Sequence, residues 1–313
     1  MTGFDGVAVS LESLTRRFGA ETAVQALTFD IGRGELFGVV GPDGAGKTTT
    51  LRMLAGVLRP SAGDARVLGV SVARDPERVK PHIAYMSQRF GLYEDLTVQE
   101  NIDFYADLYR VPRAARPARL ERLYGFSNLG PFRDRLAGNL SGGMKQKLGL
   151  SCALIHHPEV LLLDEPTFGV DPISRRDLWL IVHELVAEGI TVVVTTSYLD
   201  EAERCDRVGM LHHGRMLTLD TPERLQRSLS GTLLALHTDT PRRARDALRT
   251  LPGVRHASLF GAAVHVLFEA GAADGERARA RLGEEGVAVH AIEPVEPTLE
   301  DVFLHLAGGA ARD

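Results

Sequence analysis

Apolar and polar positions alternate in distinct textures along this chain, and each texture predicts a different kind of element. Residues 7–40 break into short apolar stretches with turns at Gly19 and Gly32–Gly34, which predicts short strands. Leu36–Val40 is a brief, Val-containing apolar run of the kind a fully buried strand needs. It leads into a Gly-rich turn and then a helix from about Lys47 to Val57. Residues 91–150 carry helical periods instead, in Val98–Tyr109 and Arg116–Tyr124, broken by Pro112, Gly125 and Pro131. Residues 158–219 return to strand–helix alternation: strand Val160–Leu163, helix Ser174–Glu188, strand Thr191–Thr195, helix Leu199–Cys205, and a hairpin around His213–Gly214. Such alternation implies a mostly parallel sheet covered by helices.

From about Thr221 the pattern changes again. Gly231–Thr238 reads as a strand, Arg242–Leu251 as a helix and Val254–Phe268 as a hairpin turning at Gly261. Glu276–Glu285 reads as a helix, Val287–Glu293 as a strand, and Thr298–Leu306 as a helix capped by Thr298 and ended by Gly308–Gly309. The order βαββαβ plus a last helix matches a small ferredoxin-like α+β domain. The expected organisation is a domain over 1–220, with a helical subdomain at about 91–150, and an accessory domain over 221–313.

Composition narrows the function classes. With 36 Lys and Arg against 41 Asp and Glu, the net charge of −5 gives no basic footprint for nucleic acid. Cys152 and Cys205 are the only cysteines, too few for a disulfide framework, which fits a reducing cytosol. The opening residues lack a basic segment followed by an apolar stretch, and the longest apolar runs fall far short of the ~18 residues that span a bilayer. The expectation is a cytoplasmic protein that reaches a membrane only through a partner. Lysine occurs only at positions 47, 80, 145 and 147, and one of these lies in the strongest motif. The histidines at 156, 157, 212 and 213 have no metal spacing. Trp179 and Cys152 read as core.

Gly41-Pro42-Asp43-Gly44-Ala45-Gly46-Lys47-Thr48, followed by Thr49, is a phosphate-binding loop between a buried strand and a helix. The glycines let backbone N–H groups turn inward around phosphates, Lys47 neutralises the β/γ oxygens, and Thr48 offers a Mg²⁺ ligand. Val160–Leu163 is a buried strand running into Asp164 and Glu165. At the carboxyl edge of the sheet these acids would sit beside the loop, Asp164 holding Mg²⁺ and Glu165 polarising an attacking water. On its own, such a pair of acids reads equally as helix-capping. Leu140-Ser141-Gly142-Gly143-Met144-Lys145-Gln146 opens a helix, where a hydroxyl, bare N–H groups and the helix dipole converge on an anion. Alone, it reads equally as an ordinary N-cap.

Together these motifs resemble the ATP-binding cassette (ABC) family: the heptad at 140–146, lying between a P-loop and an Asp-Glu-ended strand, is similar to the ABC signature. The resemblance runs continuously over about residues 7–220. It implies ATP and Mg²⁺ as ligands, with each ATP held between the P-loop of one cassette and the signature of a second. It implies that Phe18 stacks on adenine and that Gln88 joins Mg²⁺ and water to the membrane contact. It also implies that Asp171 belongs to the D-loop. The signature residues Ser141, Gly142 and Gly143 would complete a partner's ATP site. The tail Thr298–Leu304 resembles cassettes serving ABC-2 type exporters, including drug-efflux ones. That implies membrane permease subunits as partners, contacted through about Phe90–Asn101, and a peripheral position on the inner face of the cell membrane.

Two positions depart from the family pattern. Ser197 stands where the switch histidine is usual, and Asp43 where Asn or Ser is common. Serine donates one hydrogen bond but carries no charge, and Asp43 adds negative charge near phosphates. With Gly130-Pro131-Phe132 and Asp171–Arg176, these departures resemble the first cassette of twin-cassette ATPases of bacterial ABC-2 multidrug exporters. The alternatives are a regulatory cassette that hydrolyses weakly and a non-transport ABC protein.

Overall fold

The computed structural model describes residues 6–88, 91–269 and 275–310. The chain forms two compact units. One holds the residues up to Tyr198 together with Cys205–Thr218; the other holds Leu199–Arg204 together with the chain from Leu219 onward.

The first unit opens with β1 (Val7–Phe18) and β2 (Glu21–Gly32), twelve residues each and antiparallel. Short strands were expected. The strands are instead long, and register shifts break their ladder into short stretches, which is why the apolar alternation looks interrupted. Strand β3 (Leu36–Val40) is buried at every position. Helix α1 (Lys47–Leu54) stops before the expected Val57 because Gly56 turns left-handed at φ +66°. Strands β4 (Ala62–Val67) and β5 (Val70–Ser71) complete a sheet of order β2-β1-β4-β5. The short α2 (Pro76–Val79) then leads to β6 (Ile83–Met86).

The expected helical stretch follows, as α3 (Val98–Leu108), α4 (Arg116–Ser127) and α5 (Gly142–Leu154). Helix α3 starts at a capping box in which Thr97 accepts from the Glu100 N–H and the Glu100 carboxylate accepts from the Thr97 N–H. Phe90, the start of the expected membrane-partner segment, lies outside the described residues.

Beyond α5 come β7 (Val160–Asp164), α6 (Pro172–Ala187) and β8 (Thr191–Thr196). The short α7 (Leu199–Ala202) belongs to the second unit and ends before the expected Cys205. Strands β9 (Arg207–His212) and β10 (Arg215–Asp220) are joined at His213–Gly214, where both residues have positive φ, as a two-residue type I′ turn requires. The main sheet has the order β10-β9-β3-β8-β7-β6, and β9, β3, β8, β7 and β6 run parallel. Its centre is β3, β8 and β7, in which every residue is buried; continuous apolar runs rather than alternation mark strands covered on both faces. Cys152 and Trp179 are core residues, as expected.

In the second unit, α8 (Pro222–Ser228) precedes β11 (Thr232–His237), α9 (Pro241–Leu248), β12 (Val254–Phe260) and β13 (Ala263–Phe268). Then come α10 (Gly275–Glu284), β14 (Ala291–Pro294) and α11 (Leu299–Ala310). The antiparallel sheet has the order β12-β13-β11-β14, the ferredoxin-like arrangement. Leu234, Val264, Val266 and Phe268 pack with Ala244, Leu248, Ala278 and Leu282 of α9 and α10. His265 points the other way in the period-two alternation, and its Nδ1 lies 2.8 Å from the buried Asp301 Oδ1 of α11. Asp301 also caps that helix through Thr298, whose hydroxyl donates to Oδ2 at 2.8 Å. These bonds tie the start of α11 to β13. The expected stop at Gly308–Gly309 does not occur; α11 continues to Ala310.

Candidate functional site

Four adjacent parallel strands deliver the candidate residues to one edge of the main sheet. The phosphate-binding loop follows β3, Ser197 follows β8, Asp164 and Glu165 end β7, and Gln88 follows β6. The carboxyl edge of a parallel sheet is where ligands bind in open α/β folds, because the chain must turn there and side chains from neighbouring turns converge.

Lys47 is buried and folded into its own loop. Its ammonium donates to the carbonyls of Gly41 at 2.8 Å and Pro42 at 3.1 Å, and pairs with Glu165 Oε1 at 3.0 Å. At Gly46, with φ +104°, a Cβ would lie 2.5 Å from the Ala23 carbonyl, so only glycine keeps the loop this close to β2. Glu165 takes φ +48°, a strained conformation for a non-glycine residue. It is held there by its N–H, which donates to the Thr195 carbonyl at 3.1 Å and hydroxyl at 3.0 Å. Gln88 Nε2 donates to Glu165 Oε2 at 3.3 Å.

Asp164 collects three hydroxyl donors. Thr48 Oγ1 donates to Oδ1 at 2.9 Å, Thr195 Oγ1 to Oδ1 at 2.8 Å, and Tyr85 to Oδ2 at 3.2 Å. Burial, then the Asp164 charge, pushes the Tyr85 phenol up to about 12, so it remains a proton donor at neutral pH. A carboxylate and a hydroxyl this close are hard oxygen ligands suited to Mg²⁺, so these residues fit that ion.

A cavity of about 460 Å³ opens over this cluster, lined by Asp43, Gly44, Ala45, Gly46, Lys47, Thr48 and Thr49, by Gln88 and Glu165, and by Phe18. Phe18 is 46% exposed, with the Arg16 guanidinium 4.5 Å from its ring centre. Glu21, Ala23 and Phe168 also line the cavity and were not anticipated. Neither were Tyr85 and Thr195; their signal is position, since both sit near the carboxyl ends of strands flanking β7.

Gly41, Pro42, Asp164, Ser197, Ser141, Gly142, Gly143 and Asp171 are not among the residues lining this cavity; the first two bond Lys47 and Asp164 bonds Thr48. Ser141 caps α5, accepting from the Met144 N–H at 3.3 Å. Asp171 caps α6, accepting from Ile173 and Ser174, and the Ser174 N–H foremost holds its carboxyl below the ordinary range. The two caps meet: a Cβ on Gly143 would lie 2.1 Å from Ser174 Oγ, so the glycine lets α5 and α6 pack in contact.

A buried parallel strand, phosphate loop and helix, with paired acids ending the next strand but one in the sheet and a glycine-fronted helix between them in sequence, define a P-loop nucleotide-binding cassette. The comparisons agree. Residues 24–168 match the ABC transporter family model, and residues 221–307 match that of the ATP-binding protein DrrA1-3-like C-terminal domain. The chain is 37% identical over 311 residues to the daunorubicin resistance ATP-binding protein DrrA2 of Streptomyces coeruleorubidus, covering 97% of this chain and 96% of that one. The probable multidrug ABC transporter ATP-binding protein YbhF of Escherichia coli is 44% identical over 307 residues, covering 96% of this chain. This chain spans 52% of the length of that relative. A solved ATP-binding subunit of an ABC transporter superposes with a TM-score of 0.64 at 31% identity, over 71% of this chain and 92% of that one. The chain belongs to the ABC transporter ATP-binding proteins, in the group that carries a DrrA-like C-terminal domain. Among the described residues no helix is long and apolar enough to cross a membrane.

Proposed function

We propose that this chain binds and hydrolyses ATP as one cassette of a two-cassette sandwich and energises ABC-2 type permease subunits for export of a drug or other small molecule. In this reading residues 1–220 form the nucleotide-binding domain and 221–313 an accessory domain, and the protein sits on the inner face of the cell membrane through its permease. The observation that carries the reading is the convergence of Lys47, Thr48, Glu165 and Gln88 at one cavity, with Asp164 bonded to Thr48 at 2.9 Å.

Phe18 stacks on the adenine, and the backbone of Gly44–Thr49 surrounds the phosphates. Lys47 exchanges Glu165 for the phosphate oxygens, and Glu165, released, accepts the proton of the attacking water. Gln88 follows Glu165 and carries the change toward the segment that meets the permease. Thr48, Asp164 and Gln88 would hold Mg²⁺, which neutralises phosphate charge when bound. Ser141, Gly142 and Gly143 serve the partner cassette's ATP, with Asp171 beside them.

Ser197 and Asp43 support an asymmetric pair in which the site on this chain's own P-loop turns over slowly while its intact signature serves a competent partner. The 44% identical relative is about twice this length, room for a second cassette of this size. Glu165→Gln tests the assignment: it is expected to bind ATP, lose turnover and form a closed dimer seen by light scattering. Undiminished turnover would place the base elsewhere.

A further inference from the structure

The second unit encloses a cavity of about 580 Å³, larger than the nucleotide cavity and remote from it in sequence. The end of α9, the start of β12 and the last turns of α11 line it, through Arg249, Arg255, His256, Glu269, His305 and Gly308. None of these belongs to the nucleotide machinery. From these residues we propose a binding site for a phosphate-bearing small molecule or headgroup, held by the paired guanidiniums of Arg249 and Arg255.

The arginines are fixed without being neutralised. Arg249 Nε donates to the Ala257 carbonyl at 3.1 Å. Arg255 Nη1 donates to the Ser230 carbonyl at 3.3 Å and hydroxyl at 2.8 Å. These acceptors are uncharged, and among the described residues neither guanidinium makes an ion pair. Each keeps N–H donors on a planar fork that can bond two oxygens of one phosphate, the geometry that suits Arg to phosphate. Two arginines against the single carboxylate of Glu269 leave one positive charge in excess. Glu269 is the acceptor for a hydroxyl or amine on the same ligand.

The backbone is shaped toward this cavity. The β12–β13 ladder shifts register between Val254 and His256, which leaves Arg255 on a bulge, a device that re-aims a side chain out of its strand. Helix α11 runs through Gly308 against its helix propensity, and the missing side chain leaves the backbone on that wall facing the His256 ring. Burial, then the Arg255 charge, holds His305 below its ordinary value, leaving a neutral imidazole able to donate or accept. The volume falls within the ~300–1,000 Å³ of small-molecule sites.

The test uses the full chain with Lys47→Ala/Glu165→Gln, so that the P-loop does not report. Pyrophosphate is titrated by phosphorus NMR, and flotation compares phosphatidylglycerol with phosphatidylcholine vesicles. Adding Arg249→Gln/Arg255→Gln is expected to weaken one of the two interactions at least about 10-fold, the loss of one charge-assisted contact, with Arg249→Lys/Arg255→Lys intermediate. Loss of pyrophosphate binding identifies a soluble phosphate ligand, and loss of phosphatidylglycerol flotation alone identifies a lipid headgroup. No binding of either probe, or affinities within about twofold in the glutamine variant while its melting is unchanged, overturns the proposal.

Discussion

Removing Lys47 should destabilise the first unit before any nucleotide is considered. Its ammonium and the Glu165 carboxylate lie 3.0 Å apart, with side chains 4% and 10% exposed. Backbone bonds to Thr195 fix the Glu165 main chain at a strained φ of +48°, so only side-chain rotation toward the cavity can relieve an unpaired carboxylate. Breaking a buried pair from one side costs about 3–5 kcal/mol, because the remaining charge is left unpaired. The cavity beside Glu165 lets some water reach it, so the lower figure, about 3 kcal/mol, is the better value here. For a domain of this size each kcal/mol moves the midpoint by about 2–4 °C, so Lys47→Ala should melt about 6–12 °C below the wild type. Lys47→Ala/Glu165→Gln removes both charges and should recover to within about 4 °C. Glu165→Gln alone should cost little, since Lys47 keeps the Gly41 and Pro42 carbonyls. The assay is thermal unfolding by circular dichroism without nucleotide, read as a double-mutant cycle. A Lys47→Ala midpoint within about 2 °C of wild type, or a double variant no more stable than Lys47→Ala, would refute the reasoning.

Three further outcomes follow from other contacts. Ser197→His should raise ATP turnover by about 10–100-fold, short of the ~10²–10³ typical of one preorganised donor because Asp43 stays beside the phosphates, and adding Asp43→Asn should raise it further; an unchanged rate would make Ser197 a tolerated variant of an ordinary ATPase. Gly143→Ala should lose most sandwich formation while keeping ATP binding at the P-loop, since its Cβ would force Ser174 and α6 away from α5; light scattering with ATP checks this. Burial holds His156 below its ordinary value while it bonds the Ile83 carbonyl at 2.9 Å. Below pH ~6.5 the unfolded chain therefore takes a proton that the folded one refuses, and folding should weaken by up to about 1.4 kcal/mol over one pH unit. His156→Gln should flatten that part of the urea-unfolding profile between pH 7.5 and 5.5.

Much of this was legible in the sequence, for identifiable reasons. The P-loop and the Asp164–Glu165 pair could be read because each needs fixed residue types at fixed spacing, and because a buried parallel strand is one unbroken apolar run. The ferredoxin-like order could be read because each of its elements is short and punctuated by Gly or Pro. Tyr85 and Thr195 were not legible. Their roles come from strand register, Thr195 standing beside Asp164 across β8 and β7, and no local pattern encodes which strands are neighbours. The Lys47–Glu165 pair, separated by over a hundred residues, was hidden for the same reason. Gly308 was misread as a helix stop because glycine after an apolar period usually ends a helix, whereas here α11 runs through it to Ala310.

The most direct test of the nucleotide site compares ATP affinity in Glu165→Gln with that in Lys47→Ala/Glu165→Gln, by calorimetry at one salt concentration. Both lack the Glu165 carboxylate, and the stability cycle above shows whether both are folded, so the difference reports Lys47 on phosphate. A charge-assisted hydrogen bond of about 1.5–3 kcal/mol corresponds to about 10–150-fold. The account expects Glu165→Gln to bind Mg-ATP and the double variant to bind it at least 10-fold more weakly. Equal affinities in two folded variants would contradict the assignment of the phosphate site to this loop.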